Sequence, residues 1–496
     1  MPPVQIGAVG AESRHLDVPT LPGLAQNFDR NQHHSELRAD GVGLGKNAHD
    51  PVGSRRGRNV VISRIASQQQ IAHASAHQQG LVPMFAENAN RLQCGISMHE
   101  DIVDRRRYSL SVDKSTLILG IESSCDETAA AIVRGGEELV SSVVASQIAT
   151  HSPYGGVVPE LASREHLRNL VPVTRAALAK AGLTYADVDA IAVTNGPGLA
   201  GALLTGVSFA KSLAWALQKP LIAVNHIEGH IHAVLLEQRQ KGNGVLDFPV
   251  LALVVSGGHT HLFLAEQIGD SWHYENIGHT RDDAAGEAFD KTAKLLGLGY
   301  PGGPIIDRIS KFGDPEAVKF TFAQLKHSAR QESKRAGRME ENRKRFDFSY
   351  SGIKTAVLRY VETHELFGAI EARRRALLEI PAPADEDFRH LCDRQTLDLI
   401  ASFQSSVVGD LTHRTMAACE EYGVQTLLVT GGVAANSALR STFEQRGPRS
   451  GVRVHFPSRI MSTDNAAMIA AAAYSKWISK DFAGLDISAE ANLQLR

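Results

Sequence analysis

The sequence predicts an α/β protein in which two similar units face each other across a cleft. An apolar strand, TLILGIESSC (116–125), runs into a polar loop, and FPVLALVVSGGHTHLFLAE (248–266) repeats the order of strand, glycine turn and strand. Helical segments separate the two sets. This duplicated α/β architecture predicts that ligands bind on the turns, in the cleft between the lobes.

The remaining elements follow the apolar patterns along the chain. AAAIV (129–133) and ELVSSVVASQ (138–147) are predicted strands, and DAIAVTNGPG (189–198) is a short strand. Helical periodicity marks 166–182 and 206–218 in the first unit. The second unit continues with a helix over EAFDKTAKLLGLG (287–299). A further strand is predicted at the start of the segment TLLVTGGVAAN (426–436).

Residues 1–115 differ from the rest of the chain. They hold seven of the 21 histidines and repeated small polar clusters, with little strand or helix periodicity. We expect an N-terminal extension that is disordered or is not translated because the true start lies further along. An independent N-terminal domain is the alternative.

Composition narrows the class of protein. A formal charge of -2 gives no global electrostatic argument for a nucleic-acid partner. No apolar stretch approaches the roughly 20 residues that cross a bilayer, and no signal peptide pattern begins the sequence, so we expect a cytoplasmic protein. The four cysteines form no CxxC pair and are expected to be free thiols.

The segment 325–346 is strongly basic, with eight Lys or Arg against three Glu. Two interpretations stay open. It is either a solvated helix face with i,i+4 charge pairs, or a contact for the RNA backbone.

Three histidines lie within seven residues in NHIEGHIH (225–232). If this segment is helical, His226 and His230 lie one turn apart on one face, so both imidazoles can bind a single metal ion. His232 then points elsewhere, and a third ligand must come from a distant part of the chain. Ile227 stands where an HExxH zinc protease has its glutamate. The alternative is a pair of surface or core-edge histidines.

STDNAAMIAAAA (462–473) places Ser462, Thr463 and Asp464 at the start of an alanine-rich helix. Ser or Thr is expected to cap that helix while Asp464 faces the cleft. Asp464 can complete a set of two histidines and one carboxylate, which is typical of non-haem iron and is tolerated by zinc or manganese. The alternative is a plain helix cap.

Four glycine-bearing turns are expected to line the cleft. Glycine lets backbone N–H groups approach an anion, and turns after strands direct these donors at phosphates. Such turns also occur wherever a chain reverses, but four together favour a nucleotide. Asn436 and Asp290 are candidates for contacts with ribose or base, the alternative being solvated surface. The turns are NGPGLAG (195–201), VSGGHT (255–260), YPGGP (300–304) and TGGVAAN (430–436).

The loop GIESSCDET (120–128) carries Glu122, Asp126 and Glu127 after a buried strand. Such carboxylates can bind a metal-phosphate complex, position a nucleophile or accept its proton. An acidic turn without a chemical role is the alternative. Cys125 is not expected to be a nucleophile, because three nearby carboxylates raise the pKa of its thiol.

Nine segments together closely resemble the bacterial tRNA N6-adenosine threonylcarbamoyltransferase family (TsaD), formerly called O-sialoglycoprotein endopeptidases. The resemblance runs from about Leu117 to about Ser479 and does not extend to residues 1–114. The segments are GIESSCDET, GGVVPELASREH, NGPGLAGALLTG, NHIEGHIHA, VSGGHT, GEAFDKTAKLLGLGYPGGP, FSYSGIKTA, TGGVAAN and STDNAAMIA.

The resemblance implies a two-lobed actin-like ATPase (ASKHA) fold. Lobe I then covers 116–248 and lobe II covers 249–461, with 325–346 as a basic insert. Residues 462–496 form a C-terminal helix that returns to lobe I and a tail. The segments 325–346 and 371–394 make lobe II longer than the family core needs, and their role could be tRNA docking, partner contact or surface elaboration.

The implied reaction is transfer of the threonylcarbamoyl group from threonylcarbamoyl-AMP to N6 of adenosine 37 in tRNAs that read ANN codons, which forms N6-threonylcarbamoyladenosine (t6A). The implied partners are a TsaB-like paralogous subunit and a TsaE-like ATPase. A kinase-like phosphotransferase of the same fold is one alternative, although it does not need an HxxxH-plus-Asp site. A non-catalytic partner subunit is another, although it should have lost the histidines and the acidic loop.

The resemblance also implies residue roles. His226, His230 and Asp464 correspond to the ligands of one divalent metal ion per subunit, with iron the usual assignment. Asp126 and Glu127 correspond to a catalytic acidic pair. The substrate-binding positions are Val254, Val255, Ser256, Gly257, Gly258, Asp290, Gly303, Asp307 and Asn436.

Overall fold

The computed structural model describes residues 115–242, 246–269, 271–320 and 346–496. The prediction for the N-terminal extension lies outside these residues except for Ser115. The prediction for the basic segment 325–346 also lies outside them except for Phe346.

The first sheet has the strand order β3-β2-β1-β4-β5. β1, β2 and β3 are antiparallel, whereas β1, β4 and β5 run parallel. Both faces of the sheet are covered by helices, so β1 and β4 are apolar almost throughout. The strands are β1 (Leu117–Glu122), β2 (Glu127–Arg134), β3 (Glu138–Ser146), β4 (Ala190–Gly196) and β5 (Leu221–Asn225).

Helices α2 and α3 cover one face of this sheet and pack against each other. Both begin about six or seven residues before their predicted starts, because their first turns lack the apolar periodicity of the rest. By length and composition alone, α3 is the one helix in the described chain that could cross a membrane, and it packs against β4. The helices are α1 (Ile148–His151), α2 (Pro159–Ala181), α3 (Ala200–Leu217) and α4 (His226–Gln240), with a 3-10 turn at Ser152–Tyr154.

The second sheet repeats the arrangement of the first. Its strand order is β10-β9-β6-β7-β8, with β6, β7 and β8 antiparallel and β6, β9 and β10 parallel. This confirms the predicted duplicated α/β architecture. The sequence did not predict β8 and β10. The strands are β6 (Val250–Val255), β7 (Thr260–Ile268), β8 (Ser271–His279), β9 (Thr426–Thr430) and β10 (Arg453–His455).

The helices that follow β8 pack mainly around the second sheet in one large apolar core. Within them, the buried guanidinium of Arg373 donates to the Leu296 carbonyl at 2.6 Å and to the Thr396 hydroxyl at 3.2 Å. The segment 371–394 is therefore anchored to the core of lobe II. The helices are α5 (Ala285–Leu295), α6 (Gly302–Ile309), α7 (Ser351–Thr363), α8 (Phe367–Leu378), α9 (Asp385–Leu391), α10 (Arg394–Glu421), α11 (Ser437–Arg449), α12 (Arg459–Ser462) and α13 (Ala466–Ser479).

The last helix, α13, packs on the free face of the first sheet. Contact is close at Gly120, where a Cβ would lie 2.3 Å from the Ala466 carbonyl oxygen. The residues after α13 then follow the edge of β5, where the Ala483 amide donates to the Leu221 carbonyl at 2.8 Å. The C-terminal part of the chain thus completes lobe I.

Helix α4 contacts both lobes. It follows β5 of the first sheet, while Ile227 and Ile231 pack with Val254 and Phe263 of the second sheet. A neighbouring face of the helix carries His226 and His230. The helix therefore holds these side chains where the two lobes meet.

Candidate metal and nucleotide site

Asn225 is the last residue of β5 and the N-cap of α4, the helix that carries the histidines. Its Oδ1 accepts hydrogen bonds from the amides of Ile227 at 2.9 Å and Glu228 at 3.5 Å. The helix starts at His226, so the segment is helical as the histidine spacing required. His226 and His230 share one face, with ring centroids 4.7 Å apart. His232 points away and contacts the Tyr274 hydroxyl at 3.1 Å.

Asp464 lies between α12 and α13 and faces the two histidines. Its Oδ1 is 3.2 Å from His230 Nε2 and 3.6 Å from His226 Nε2. The predicted cap by Ser462 or Thr463 is wrong, because Asn465 caps α13 by accepting from the Met468 amide at 3.0 Å. The three predicted ligand atoms all lie within 4.8 Å of one another.

The charges of this cluster are strongly coupled. Burial lowers the pKa of His226, but the carboxylates of Asp464 and Glu122 outweigh it and raise that pKa to about 9. Burial raises the pKa of Asp464, but His226 and His230 more than compensate and hold it below its usual range. The two carboxylates therefore favour the protonated form of His226 at neutral pH. A divalent cation can replace that proton.

His230 indicates most directly that the cluster fits a cation. The residue is fully buried, and its Nδ1 has no hydrogen-bond partner in the described part of the chain. Its Nε2 lies 3.2 Å from Asp464 Oδ1 without the alignment of a hydrogen bond. Buried polar atoms without partners are unfavourable, and a metal ion at Nε2 would satisfy one of them. Two imidazoles and one carboxylate suit a divalent transition metal.

Glu122 and Ser124 support His226 from behind. The Nδ1 atom of His226 lies 3.3 Å from Glu122 Oε2 and 3.1 Å from Ser124 Oγ. Glu122 also accepts from the Thr194 hydroxyl and from the Ser124 amide, both at 2.6 Å. Hydrogen bonding of Nδ1 leaves Nε2 free to bind a metal. The sequence interpretation placed Glu122 in a loop, whereas it ends β1 and is fully buried.

The other two carboxylates of the acidic loop lie side by side. Burial, and then the charges of Asp126 and Asp464, raise the pKa of Glu127 well above its usual range. Burial and the neighbouring negative charges therefore favour the protonated form of Glu127. The pKa of the Cys125 thiol is also raised, first by burial and then by Asp126, so burial adds to the carboxylate effect that the sequence predicted.

His166 of α2 fixes this loop and was not singled out by the sequence. One ring nitrogen, Nε2, lies 2.9 Å from the Cys125 carbonyl oxygen, and Nδ1 lies 2.8 Å from the Thr128 hydroxyl. Its only sequence signal is its place in the segment GGVVPELASREH. The imidazole thus holds both ends of the loop that carries Asp126 and Glu127.

The VSGG turn joins β6 to β7 and borders the metal cluster. Val254 and Val255 are fully buried in β6, so only their backbones can face a ligand. Ser256 Oγ accepts from the His259 amide at 3.2 Å, which tightens the turn. Gly257 and Gly258 are exposed, and no described atom lies within 4 Å of a Cβ built on either. Their backbones are accessible to an anion.

Two acidic side chains hold the neighbouring turns. Asp290 Oδ1 accepts from the amides of Gly302 at 2.8 Å and Gly303 at 3.3 Å. Asp307 accepts from the Ser437 hydroxyl at 2.7 Å. These carboxylates connect the helices around the turns, so they stabilise the shape of the candidate nucleotide pocket.

Asn436 is buried and engaged at both ends of its amide. Its Oδ1 caps α11 by accepting from the Leu439 amide at 2.9 Å, and its Nδ2 donates to Gln404 Oε1 at 2.9 Å. The alternative of a solvated loop residue is therefore wrong for Asn436. Its expected contact with ribose or base stays a prediction.

The first glycine turn, NGPGLAG, packs closely against neighbouring segments of lobe I. A Cβ at Gly198 would lie 2.5 Å from the Ser124 carbonyl oxygen, and one at Gly201 would lie 2.4 Å from Ser163 Oγ. These glycines allow close packing within lobe I. The approach of an anion to this turn stays a prediction. The turn therefore supports the acidic loop.

His259, in the VSGGHT segment, was missed as an individual residue. Its ring centroid lies 5.9 Å from that of His226. Burial, and then the positive charge of His226, lower the pKa of His259 to about 3, so its imidazole is neutral. A histidine directly after two turn glycines was the available signal. It connects the glycine turn of lobe II with the cluster on α4.

The two sheets with matching strand order, the glycine turns and the buried cluster define an α/β protein of two similar lobes with a candidate metal and nucleotide site. The model of the TsaD family, tRNA N6-adenosine threonylcarbamoyltransferase, matches residues 138–471. The enzyme of that name from Koribacter versatilis is 67% identical over 380 residues, which are 77% of this chain and 99% of the relative. The chain belongs to the TsaD family and is a transferase.

Other comparisons are more distant. The enzyme of the same name from Geotalea uraniireducens is 47% identical over 373 residues, covering 75% of this chain and 95% of the relative. Component A of the (R)-2-hydroxyglutaryl-CoA dehydratase from Acidaminococcus fermentans has a TM-score of 0.39 and 13% identity, over 73% of this chain and 99% of that chain. Family membership does not favour a kinase-like phosphotransferase or a non-catalytic subunit.

Proposed function

We propose that this chain transfers the threonylcarbamoyl group of threonylcarbamoyl-AMP to N6 of adenosine 37 in tRNAs that read ANN codons, and that the reaction takes place at the cluster on α4. The observation that carries this proposal is the convergence of His226, His230 and Asp464 within 4.8 Å, beside the glycine turn of lobe II. The product is t6A.

We assign one divalent metal ion to His226, His230 and Asp464, with Glu122 orienting His226. Fe2+ is the proposed ion, and Zn2+ and Mn2+ also suit this ligand set. When bound, such an ion supplies a Lewis acid for a phosphate or acyl oxygen. The orphaned nitrogens of His230 support this assignment.

The nucleotide part of the adenylate is assigned to lobe II. The exposed backbones of Gly257 and Gly258 can bind its phosphate, next to the backbones of Val254, Val255 and Ser256. The other residues that we assign to nucleotide binding are Gly303, Asp290, Asp307 and Asn436. Asp290 and Asp307 act by keeping their turns in place.

The acidic pair is assigned to proton transfer. The adenylate is already activated, so the N6 amine can attack its carbonyl carbon directly, and AMP leaves as the acyl–oxygen bond breaks. We assign Asp126 as acceptor of the proton that the amine loses. Glu127, whose protonated form is favoured by burial and by Asp126, can donate a hydrogen bond to the reacting group.

The proposed partners are a TsaB-like paralogous subunit, a TsaE-like ATPase and tRNA, in the cytoplasm. Exposed apolar side chains on neighbouring helices of lobe I support a protein partner. Leu167 and Val171 of α2 are 70% and 41% exposed, and Leu204 of α3 is 59% exposed. Replacing Leu167 with Glu is expected to weaken co-purification with the TsaB-like subunit.

The proposed domain division is lobe I over 116–248, lobe II over 249–461, and a C-terminal helix and tail over 462–496. The contact of α13 with the first sheet supports the return of the last segment to lobe I. The proposed N-terminal extension is 1–115.

The test is reconstitution of t6A formation with the purified partner proteins, a threonylcarbamoyl-AMP synthase, ATP, bicarbonate, threonine and unmodified tRNA. Metal content is measured in parallel on protein purified without oxygen, and iron is the expected ion. His226→Ala and Asp464→Asn are expected to lose the metal and t6A formation. His232→Gln, from the same helix but outside the cluster, is the control and should retain both.

Two results would contradict these assignments. Full t6A formation by Asp464→Asn would exclude the metal ligand set. Failure of the unaltered chain, alongside an active relative under the same conditions, would count against the reaction itself.

A further inference from the structure

A second cavity lies on the side of α4 that faces away from the metal cluster. Its volume is about 360 Å³. Glu228 borders it and is about 200° around the helix from His226, so the two residues face opposite ways. The cavity is lined by Asn195, Ala223, Asn225, Glu228, Trp272, Tyr274, Lys476, Asp481, Ala483 and the last four residues, 493–496. None of these residues belongs to the metal or nucleotide assignments.

Asn225 provides an unused hydrogen-bond donor at this cavity. Its side-chain Oδ1 is turned towards the first amides of α4. The Nδ2 group of the same planar amide therefore points away from the helix. Asn225 is 8% exposed, and its Nδ2 has no hydrogen-bond partner among the residues that the structure describes. A ligand with an acceptor oxygen would satisfy this buried group.

The cavity also carries charges of both signs. Glu228 is buried, and its carboxylate accepts a hydrogen bond from the Tyr274 hydroxyl. Burial raises the pKa of Glu228, and the positive charge of Lys476 opposes this rise. Lys476 also pairs with Asp481 at 3.3 Å. A ligand with only a negative charge would be repelled by the carboxylates of Glu228 and Asp481. A ligand with only a positive charge would leave the Nδ2 group of Asn225 without an acceptor. A molecule with one charge of each sign matches both.

We propose that this cavity binds a free α-amino acid. Its carboxylate lies at Asn225 Nδ2 and Lys476, and its ammonium group lies at Glu228. The aromatic ring of Trp272 and the side chains of Leu493 and Leu495 provide the apolar wall for its side chain. The cavity volume is within the range of natural small-molecule sites, which starts at about 300 Å³.

The test is calorimetric titration of the whole chain with each of the twenty amino acids separately. Acetate and methylammonium, which carry one charge each, are the reference probes. We expect saturable binding of at least one amino acid at one site per chain, with a Kd below about 1 mM. The single-charge probes should not saturate at about 10 mM.

Matched variants locate the binding site. Lys476→Ala is expected to weaken binding about 10-fold or more, because a charge-assisted contact is lost. Lys480→Ala, four residues further on and exposed, should bind as the unaltered protein does. Ala223→Leu should abolish binding by filling the cavity, while its thermal midpoint and t6A formation verify that it is folded.

Three outcomes would overturn the proposal. They are the absence of saturable binding for every amino acid, binding that Lys476→Ala and Ala223→Leu leave unchanged, and binding of acetate as tight as that of the best amino acid. Because t6A formation is measured separately, each of them is distinguishable from failure of the proposed reaction.

Discussion

Replacing Glu122 with Gln tests the support of the metal cluster. The carboxylate is fully buried and is surrounded by three hydrogen-bond donors, namely the Ser124 amide, the Thr194 hydroxyl and His226 Nδ1. A glutamine amide has the same shape, but its NH2 group must face one of these donors. The substitution therefore leaves at least one buried polar group without a partner.

Two magnitudes follow from this geometry. An unsatisfied buried group costs about 1–3 kcal/mol of folding free energy. This cost lowers Tm by roughly 2–4 °C per kcal/mol, or less in a chain of this length. Loss of a residue that orients a metal-bound histidine weakens metal affinity about 10- to 100-fold.

The assay is competition for Zn2+ between a chelator of known affinity and the metal-free protein, with Tm measured by calorimetry. Glu160→Gln is the control, because Glu160 lies on the exposed surface of α2. Zinc affinity equal to that of the unaltered protein in Glu122→Gln would refute the inferred role of Glu122.

Three further predictions concern the same region. Gly302→Ala should lower Tm, because its Cβ would lie 2.5 Å from that of Ala293. Gly303→Ala should keep Tm and weaken AMP binding in a titration, because the nearest described neighbour of its Cβ would be 3.9 Å away. Equal effects of the two substitutions on Tm would contradict this difference. The pKa of about 9 for His226 lies above its unfolded value of about 6.5, so its ion pair stabilises the metal-free protein fully below pH about 6.5, and this stabilisation is lost as the pH rises through about 9. Urea midpoints of chelator-treated protein should therefore decrease between about pH 6.5 and 9.5 by more than those of His226→Gln, and parallel decreases would count against the ion pair. Cys125 should resist labelling by iodoacetamide in the folded protein at about pH 8, because burial and Asp126 raise the pKa of its thiol. Peptide mapping measures the labelling, and rapid labelling of Cys125 would disprove the prediction. Cys125→Ser should still form t6A.

Local patterns were sufficient to predict the two histidines. Residues four apart lie on the same face of a helix, so the prediction required only that the segment be helical. Asn225 caps this helix, which starts at His226. Asp464 was selected by residue type, and the cap was wrongly assigned to Ser462 or Thr463 because three adjacent polar residues offer the same local hydrogen bond. The choice of Asn465 depends on how α12 ends, which the sequence pattern does not reveal.

Residues whose roles depend on distant contacts were harder to predict. Glu122 supports His226 only because β4 pairs with both β1 and β5, which brings residues 104 positions apart together. The packing of Gly198 against Ser124 likewise depends on the pairing of these strands. The glycines that face open space and those that face backbone have the same sequence pattern, so neighbours such as Gly302 and Gly303 differ only in three dimensions.

The position of α4 between the lobes links occupancy of the metal site to any rocking of the lobes. Ile231 packs with Phe263 on the side of lobe II, while His230, one residue earlier, lies in the metal cluster. A rotation that opens the cleft must either slide this apolar seam or move the histidines relative to Asp464. An ion held by all three side chains would oppose the second of these motions, so opening with the ion bound would have to slide the apolar seam.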